Sequence, residues 1–504
     1  MANKRWFGAA TFLTLLLYIV VSVIGFRRSL LPDEIRPLLL AARSADELLA
    51  LARADLVQTP LSYFVARTWL NIFGHTDLAA KLLPLTLGIA SIGAFAFLAR
   101  RATAAWLLAL ALFCASYLRI GSSLNLVRMY GFVVLFAVLA LLAWDKWRQS
   151  GRNGWLAAWA AMMVLAIFSH PSALLLLGAL TVATWLLGPK RLLFTVVAIV
   201  PLLSLAPWIA YVYPTFRERG MTANIEALAD DPTRELARMP FYFLMGDPPG
   251  AAAPVEEYYK DPPRPRLLSL ARRGALGLAL VMAVTSLFWL RRRPWRSGRT
   301  SEDDWLITSL LLVVLPAAVL YGVSLATQPV VSARYLLVSL PSVMLLVAGL
   351  SRAGGRLGMV LGWGALAWIL ASAAFAARLN TRPAPPKAAA VWLNENLRPG
   401  DVIVAARHNP IGWQFHWEWT RRLGRTEQVH VLQSPNQPPW LRGILPGEEI
   451  AELPLAGVQR VWLLDAGARV RPEVEEGLAA RGFAPGAAPV QDLHFVRLYE
   501  VSNR

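Results

Sequence analysis

Long apolar runs alternate with short charged clusters along the chain, and this alternation predicts helices that cross a membrane. Eleven runs carry almost no charge. They lie near residues 6–26, 79–99, 103–118, 127–144, 155–169, 172–188, 192–213, 270–290, 305–326, 336–351 and 357–377. A helix needs about 20 predominantly apolar residues to cross the hydrocarbon core, so the third and fifth runs are short for an unbroken crossing. Three longer polar stretches interrupt the pattern, at 27–78, 214–269 and 378–504. In the first, Ser44-Ala45-Asp46-Glu47 leads into Leu48, Leu49, Leu51 and Ala52, which predicts a capping box opening an amphipathic helix on the membrane surface. Tyr63 to Phe73 predicts a second interfacial helix, with Trp69 suited to the headgroup level.

The third stretch reads differently. After the prolines at 383–386, a helix is predicted over Lys387–Leu397 and a turn at Pro399-Gly400-Asp401. Strands are predicted at Val402–Val404, Val429–Leu432, Val461–Leu464 and Phe495–Tyr499, with another helix over Pro472–Arg481. The fold class is therefore a multi-span α-helical membrane protein, with spans and their loops over 1–377 and a small α/β domain over 378–504. No internal repeat, nucleotide-binding glycine fingerprint or metal-ligand spacing is present. The α/β domain reads as an accessory or acceptor-contacting unit.

Composition supports the membrane reading: 56% of residues are hydrophobic and 16% charged, too apolar for a soluble enzyme of 504 residues. The net charge of +18 could suggest nucleic acid, but its distribution excludes that. Residues 378–504 carry 15 Lys and Arg against 13 Asp and Glu. The remaining excess sits at alternate span ends: Lys4-Arg5, Arg100-Arg101, Lys146 with Arg148 and Arg152, Lys190-Arg191, Arg291 to Arg299, and Arg352 with Arg356. Cytoplasmic loops are enriched in Lys and Arg, so these clusters predict a cytoplasmic N-terminus and, after eleven crossings, an extracytoplasmic C-terminal domain. The first run ends Val23-Ile24-Gly25-Phe26-Arg27 without a small-x-small cleavage site and reads as a retained anchor. Cys114 is the single cysteine and lies within a span, so the C-terminal domain holds no disulfide.

This topology brings polar residues from distant positions to one face. Asp33, Glu34 and Arg36 follow the first span; Arg119, Ser122, Ser123, Asn125, Arg128 and Tyr130 separate the third from the fourth. His170 joins the fifth and sixth, and Arg334-Tyr335 precedes the tenth. Ionisable groups near hydrocarbon are costly and mark functional paths. A carboxylate together with arginines fits transfer of a sugar from a lipid phosphate. That leaving group is already a good anion, so it needs permanent positive charge, while the acceptor hydroxyl needs one base. Glycosidases differ in pairing two carboxylates. Each residue also has a plainer reading: Asp33-Glu34 as solvated loop charge, Arg128 and Arg334 as headgroup anchors, and His170, before Pro171, as a helix-end hydrogen-bonder. Asp303-Asp304 falls on the cytoplasmic side and is set aside.

An ordered set of short motifs runs through the membrane part: Asp33-Glu34, Thr59-Pro60-Leu61-Ser62-Tyr63 continuing to Phe73-Gly74, Lys81-Leu82-Leu83-Pro84, Val127-Arg128-Met129-Tyr130, Ser169-His170, and Arg334-Tyr335-Leu336-Leu337 with Pro341. In this the chain resembles the GT-C superfamily of integral-membrane glycosyltransferases, and among them family 39, the protein O-mannosyltransferase and aminoarabinose-transferase relatives. The resemblance implies a GT-C fold, a polyprenyl-phosphate-linked sugar donor, and inversion at the anomeric carbon. It implies Asp33 as acceptor-activating base with Glu34 beside it, and Arg128 and Arg334, with Tyr130 and Tyr335, as contacts to the donor phosphate. Arg36, Tyr63 and His170 are the remaining substrate-side candidates. Where relatives often have His-Pro-Pro, this chain has Gln58-Thr59-Pro60, which removes a His-dependent metal or acceptor contact.

The expected activity is thus a glycosyltransferase of the plasma membrane (the inner membrane of a bacterium), acting on a lipid, glycan or protein acceptor hydroxyl outside the cytoplasm. Its partners are the polyprenyl-phosphate sugar, the acceptor and membrane lipids, not nucleic acid. No soluble cofactor is implied, no ligand spacing supports a metal, and a divalent cation stays open. Two alternatives remain: a surface-polysaccharide polymerase or ligase using a lipid-diphosphate donor, and a non-enzymatic transporter of lipid-linked sugar. A transporter would be expected to show internal repeats and broken midplane helices.

Overall fold

A computed structural model describes residues 2–26, 38, 43–55, 59–119, 124, 128–219, 233, 300–326, 331–379, 385–406, 415, 418–422, 429–432, 452–464, 472–486 and 496–501. The helices are α1 (Ala2–Gly25), α2 (Ala45–Asp55), α3 (Leu61–Phe73), α4 (Asp77–Ala102), α5 (Trp106–Arg119), α6 (Met129–Ser150), α7 (Asn153–Ser169), α8 (Ala173–Leu187), α9 (Arg191–Arg219), α10 (Ser301–Ala326), α11 (Leu340–Ala353), α12 (Gly355–Leu379), α13 (Pro385–Asn396) and α14 (Pro472–Ala479). A 3-10 segment, Ala333–Ser339, leads directly into α11. Among the described residues, six helices are long and apolar enough to cross a membrane and four more are shorter apolar helices. Together they cover every apolar run read from the sequence except 270–290, which lies outside the described residues.

α6 and α11 form the centre of the bundle. α6 packs against α4 and α7, and α11 against α5, α10 and α12. The α11–α12 approach depends on glycine: a Cβ on Gly358 would lie 2.2 Å from the Ser351 carbonyl oxygen. α1 and α9 lie at the periphery, where exposed Phe12, Leu13, Leu202 and Leu203 suit a lipid surround. α9 contains Pro201, Pro207 and Pro214. Its far end holds α2, because Arg53 Nε donates to Thr215 Oγ1 at 3.0 Å and its guanidinium lies 5.0 Å from the Tyr211 ring. The capping box forms as the sequence predicts: Ser44 N and Oγ both donate to Glu47 Oε2 at 2.9 Å, and Glu47 N donates back to Ser44 Oγ at 3.3 Å.

The end of the bundle where α6 finishes carries a buried polar network. Asp145, fully buried, accepts from Arg101 Nε at 2.6 Å, from Gln149 Nε2 at 3.0 Å and from Trp305 Nε1 at 3.2 Å. Arg148 pairs with Asp304 at 2.8 Å. Glu302 accepts from Thr103 Oγ1 at 2.7 Å and pairs with Arg352 at 3.4 Å. Asp303 accepts from Thr300 N and Oγ1. The pair set aside as cytoplasmic, Asp303-Asp304, thus joins α10 to this end.

Five strands form one sheet: β1 (Val402–Ala406), β2 (Val429–Leu432), β3 (Arg460–Leu464), β4 (Phe483–Pro485) and β5 (Val496–Val501), in the order β2-β1-β3-β5-β4. β1 runs parallel to β2 and β3, while β5 runs antiparallel to β3 and β4. β4, three residues long, is the strand the sequence reading did not predict. Asp401, in the turn made by Gly400 at φ +86°, fastens the sheet to α13. It is buried against Arg460, whose Nε donates to Oδ1 at 2.9 Å, and accepts from Trp462 Nε1 at 3.0 Å and the Arg398 backbone at 2.9 Å. Burial alone would raise its carboxyl; those hydrogen bonds outweigh it and hold the carboxyl below its ordinary value.

Candidate functional site

The opposite end of α6 begins at Arg128, whose backbone is extended as the helix cap. α6 has 22 residues, so the two ends lie about 33 Å apart at ~1.5 Å per residue. Tyr130, in the first turn, is buried, and the Arg128 guanidinium lies 5.3 Å from its ring. The end of α7 meets this turn. There His170 leaves the helix in an extended conformation, its N–H still bonded to the Ala166 carbonyl at 3.0 Å. Pro171 follows and has no N–H, so the Ile167 carbonyl lacks its intrahelical partner. Thr59, from the segment before α3, supplies one: its Oγ1 donates to the Ile167 carbonyl at 3.2 Å.

The 3-10 segment packs against α6, α8, α10 and α11 and brings Tyr335 onto the other side of His170. The imidazole lies 5.7 Å from the Tyr130 ring and 5.2 Å from the Tyr335 ring, centroid to centroid. His170 is 4% exposed. Its Nδ1 accepts from the Ser172 backbone N–H at 3.1 Å and lies 2.8 Å from Ser172 Oγ. The neutral ring then carries its proton on Nε2. Burial in this turn, and after it the nearby Arg128 charge, push the His170 pKa down to about 3.

Four of the sequence-predicted residues therefore meet: Arg128, Tyr130, His170 and Tyr335. Arg334 is half-buried on the same 3-10 segment. Tyr63 is buried on α3, which packs against α7 and α4. Asp33, Glu34 and Arg36 lie outside the described residues, as do Ser122, Ser123 and Asn125. The two described residues flanking that first loop are both anchored. Phe26 gives its carbonyl to the buried Lys81 Nζ at 2.7 Å, and Leu38 packs with Ala66, Leu70, Ala80, Leu83 and Phe132. Thr59 and Lys81 are positions whose work the sequence reading missed. The His-Pro pair at the end of α7 signals a carbonyl in need of a donor, and a lysine opening an apolar helix signals a partner. Among the described residues, no three His, Cys, Asp or Glu side chains gather as metal ligands.

No protein-family model and no curated protein matches the chain. Solved structures do. Over 98% of both chains it resembles ArnT from Cupriavidus metallidurans bound to undecaprenyl phosphate, with 14% identity and a TM-score of 0.54. The same protein in the apo state matches at a TM-score of 0.47, also with 14% identity, over 100% of this chain and 99% of that one. The archaeal oligosaccharyltransferase AglB from Archaeoglobus fulgidus, in complex with an inhibitory peptide and a dolichol-phosphate, matches at 0.44 with 11% identity, over 92% of this chain and 69% of that one. The likeness to ArnT shows the fold, the GT-C fold that the sequence resemblance implies.

Proposed function

We propose that the chain is a membrane glycosyltransferase that moves one sugar from a polyprenyl phosphate to an acceptor hydroxyl on the extracytoplasmic side. The observation that carries this reading is the meeting of Arg128, Tyr130, His170 and Tyr335 at one end of a GT-C bundle. The likeness to ArnT, solved with undecaprenyl phosphate, supports a lipid-phosphate donor. In the reaction, Asp33 takes the acceptor proton as the hydroxyl oxygen bonds to the anomeric carbon. The bond from that carbon to the phosphate oxygen breaks, the phosphate leaves with the electron pair, and a single displacement inverts the centre. Arg128 and Arg334, with Tyr130 and Tyr335, hold the departing phosphate. Glu34 assists Asp33 as the second catalytic carboxylate, and Arg36 and Tyr63 serve as substrate contacts. In this reading eleven spans run over 1–377 from a cytoplasmic N-terminus, the α/β domain over 378–504 is extracytoplasmic, and the site faces outward from a bacterial inner membrane.

The test compares wild type with Asp33→Asn, each incubated with a panel of polyprenyl-phosphate sugars and native lipid and glycan extract. Loss of the base is expected to slow transfer about 100-fold or more. Undiminished transfer by the variant would reject Asp33 as base. Donor movement across vesicles without any transfer would reject the enzyme in favour of a transporter.

A further inference from the structure

His170 has two ring nitrogens with different fates. Nδ1 is used within the turn, accepting from Ser172. Nε2 is buried and has no hydrogen-bond partner among the described residues. An N–H withheld from water and left unbonded costs about 1–3 kcal/mol, so such a group calls for an acceptor that arrives with a ligand. Both neighbouring rings come from segments far apart in sequence, and neither phenol bonds Nε2. The charge facing the imidazole is that of Arg128.

We propose that His170 gives its Nε2–H to an oxygen of the phosphate in the lipid-linked donor, an oxygen that the Arg128 charge also attracts. This rests on the reading of the site as a donor-phosphate site. An anion is the ligand chemistry that satisfies an orphaned N–H beside a guanidinium, and a cation there would be repelled by that guanidinium. The Ser172 contact fixes the tautomer, and with a pKa of about 3 the ring stays uncharged over the working pH range. His170 thus contributes direction rather than charge. It is a positioning group for the phosphate and supplies no proton to the leaving group.

Three substitutions separate the two nitrogens. His170→Asn keeps an acceptor where Nδ1 lies and removes the group at Nε2. His170→Gln extends an N–H toward the Nε2 position, and His170→Phe keeps a ring with neither function. Each full-length protein is titrated in detergent with undecaprenyl phosphate, undecaprenol and inorganic phosphate, with its thermal midpoint measured alongside. Asn and Phe are expected to weaken undecaprenyl phosphate binding about ten- to hundredfold, with undecaprenol unchanged and Gln within about threefold of wild type. Matching losses for inorganic phosphate would show that the site reads phosphate from either source. Undecaprenyl phosphate binding as tight in His170→Asn as in wild type overturns the proposal, as does equal weakening for undecaprenol. Wild type that binds the lipid phosphate with this His170 dependence yet transfers no sugar would overturn the enzymatic reading and leave this one standing. Wild type that binds no phosphate ligand overturns both.

Discussion

At the scale of single residues, the turn around His170 is governed by one missing N–H. Pro171 cannot serve the Ile167 carbonyl, and a buried carbonyl without a partner costs about 1–3 kcal/mol. Thr59 serves it from a segment more than 100 positions away. Thr59→Val keeps the shape and removes the hydroxyl, so it is expected to destabilise the protein by about 1–3 kcal/mol, measured as a lowered thermal midpoint. Thr59→Ser should retain most of the stability, because the donor remains. Equal midpoints for wild type and Val would show that the Ile167 carbonyl is served in some other way. Sequence comparison drew attention to Gln58-Thr59-Pro60 as a departure from a family pattern and gave Thr59 no work. Its role needs the end of α7 to lie beside it, which no local spacing reveals. His170 was legible only in part: the bond from Ser172 is local and two residues away, whereas the rings of Tyr130 and Tyr335 arrive through packing.

At the scale of elements, α6 connects two polar ends of opposite character. At its start sit Arg128 and Tyr130; at its finish Asp145 is saturated by Arg101, Gln149 and Trp305. Trp305 is further fixed by an edge-on contact with Trp144, 5.6 Å between centroids. The saturated end is structural, since its donors are already committed. Asp145→Ala leaves Arg101 and Arg148 without their buried carboxylate and is expected to cost about 3–5 kcal/mol. Scanning calorimetry in detergent would read this as a large fall in midpoint. Affinity for undecaprenyl phosphate, measured below that midpoint, should change less than about threefold. A stable Asp145→Ala protein with lost phosphate affinity would instead couple the two ends. Hydropathy located nearly every helix because each apolar run is specified by its own residues. The capping box at Ser44–Glu47 was legible for the same reason. The network at Asp145 was not, because it unites residues from α4, α6 and α10. β4 was missed because three residues, one of them Pro485, carry too little alternation to read as a strand.

At the scale of the whole molecule, the contacts gather basic residues at one end, and this predicts an orientation. Arg101 pairs with Asp145, Arg148 with Asp304 and Arg352 with Glu302, and Lys190 reaches the Gly151 carbonyl at 3.3 Å, at the end away from His170. Among the described residues, members of four of the basic clusters thus share an end in three dimensions. The rule that Lys and Arg stay with the cytoplasm then predicts that His170 and Arg128 lie on the far side. Cys114, the only cysteine, is buried, so Cys114→Ala provides a background for single-cysteine labelling. In right-side-out vesicles an impermeant maleimide is expected to label Asn71→Cys, exposed on α3, and Glu500→Cys, exposed on β5, without added detergent. Ser150→Cys, exposed at the finish of α6, should react only after the membrane is opened. The reverse pattern would turn the bundle over and carry the arginines at the start of α6 into the cytoplasm, where a nucleotide-activated sugar could reach them directly. The expected pattern leaves them facing a compartment without such donors. A sugar must then arrive already attached to lipid, and the positive charge at this end has a phosphate to receive.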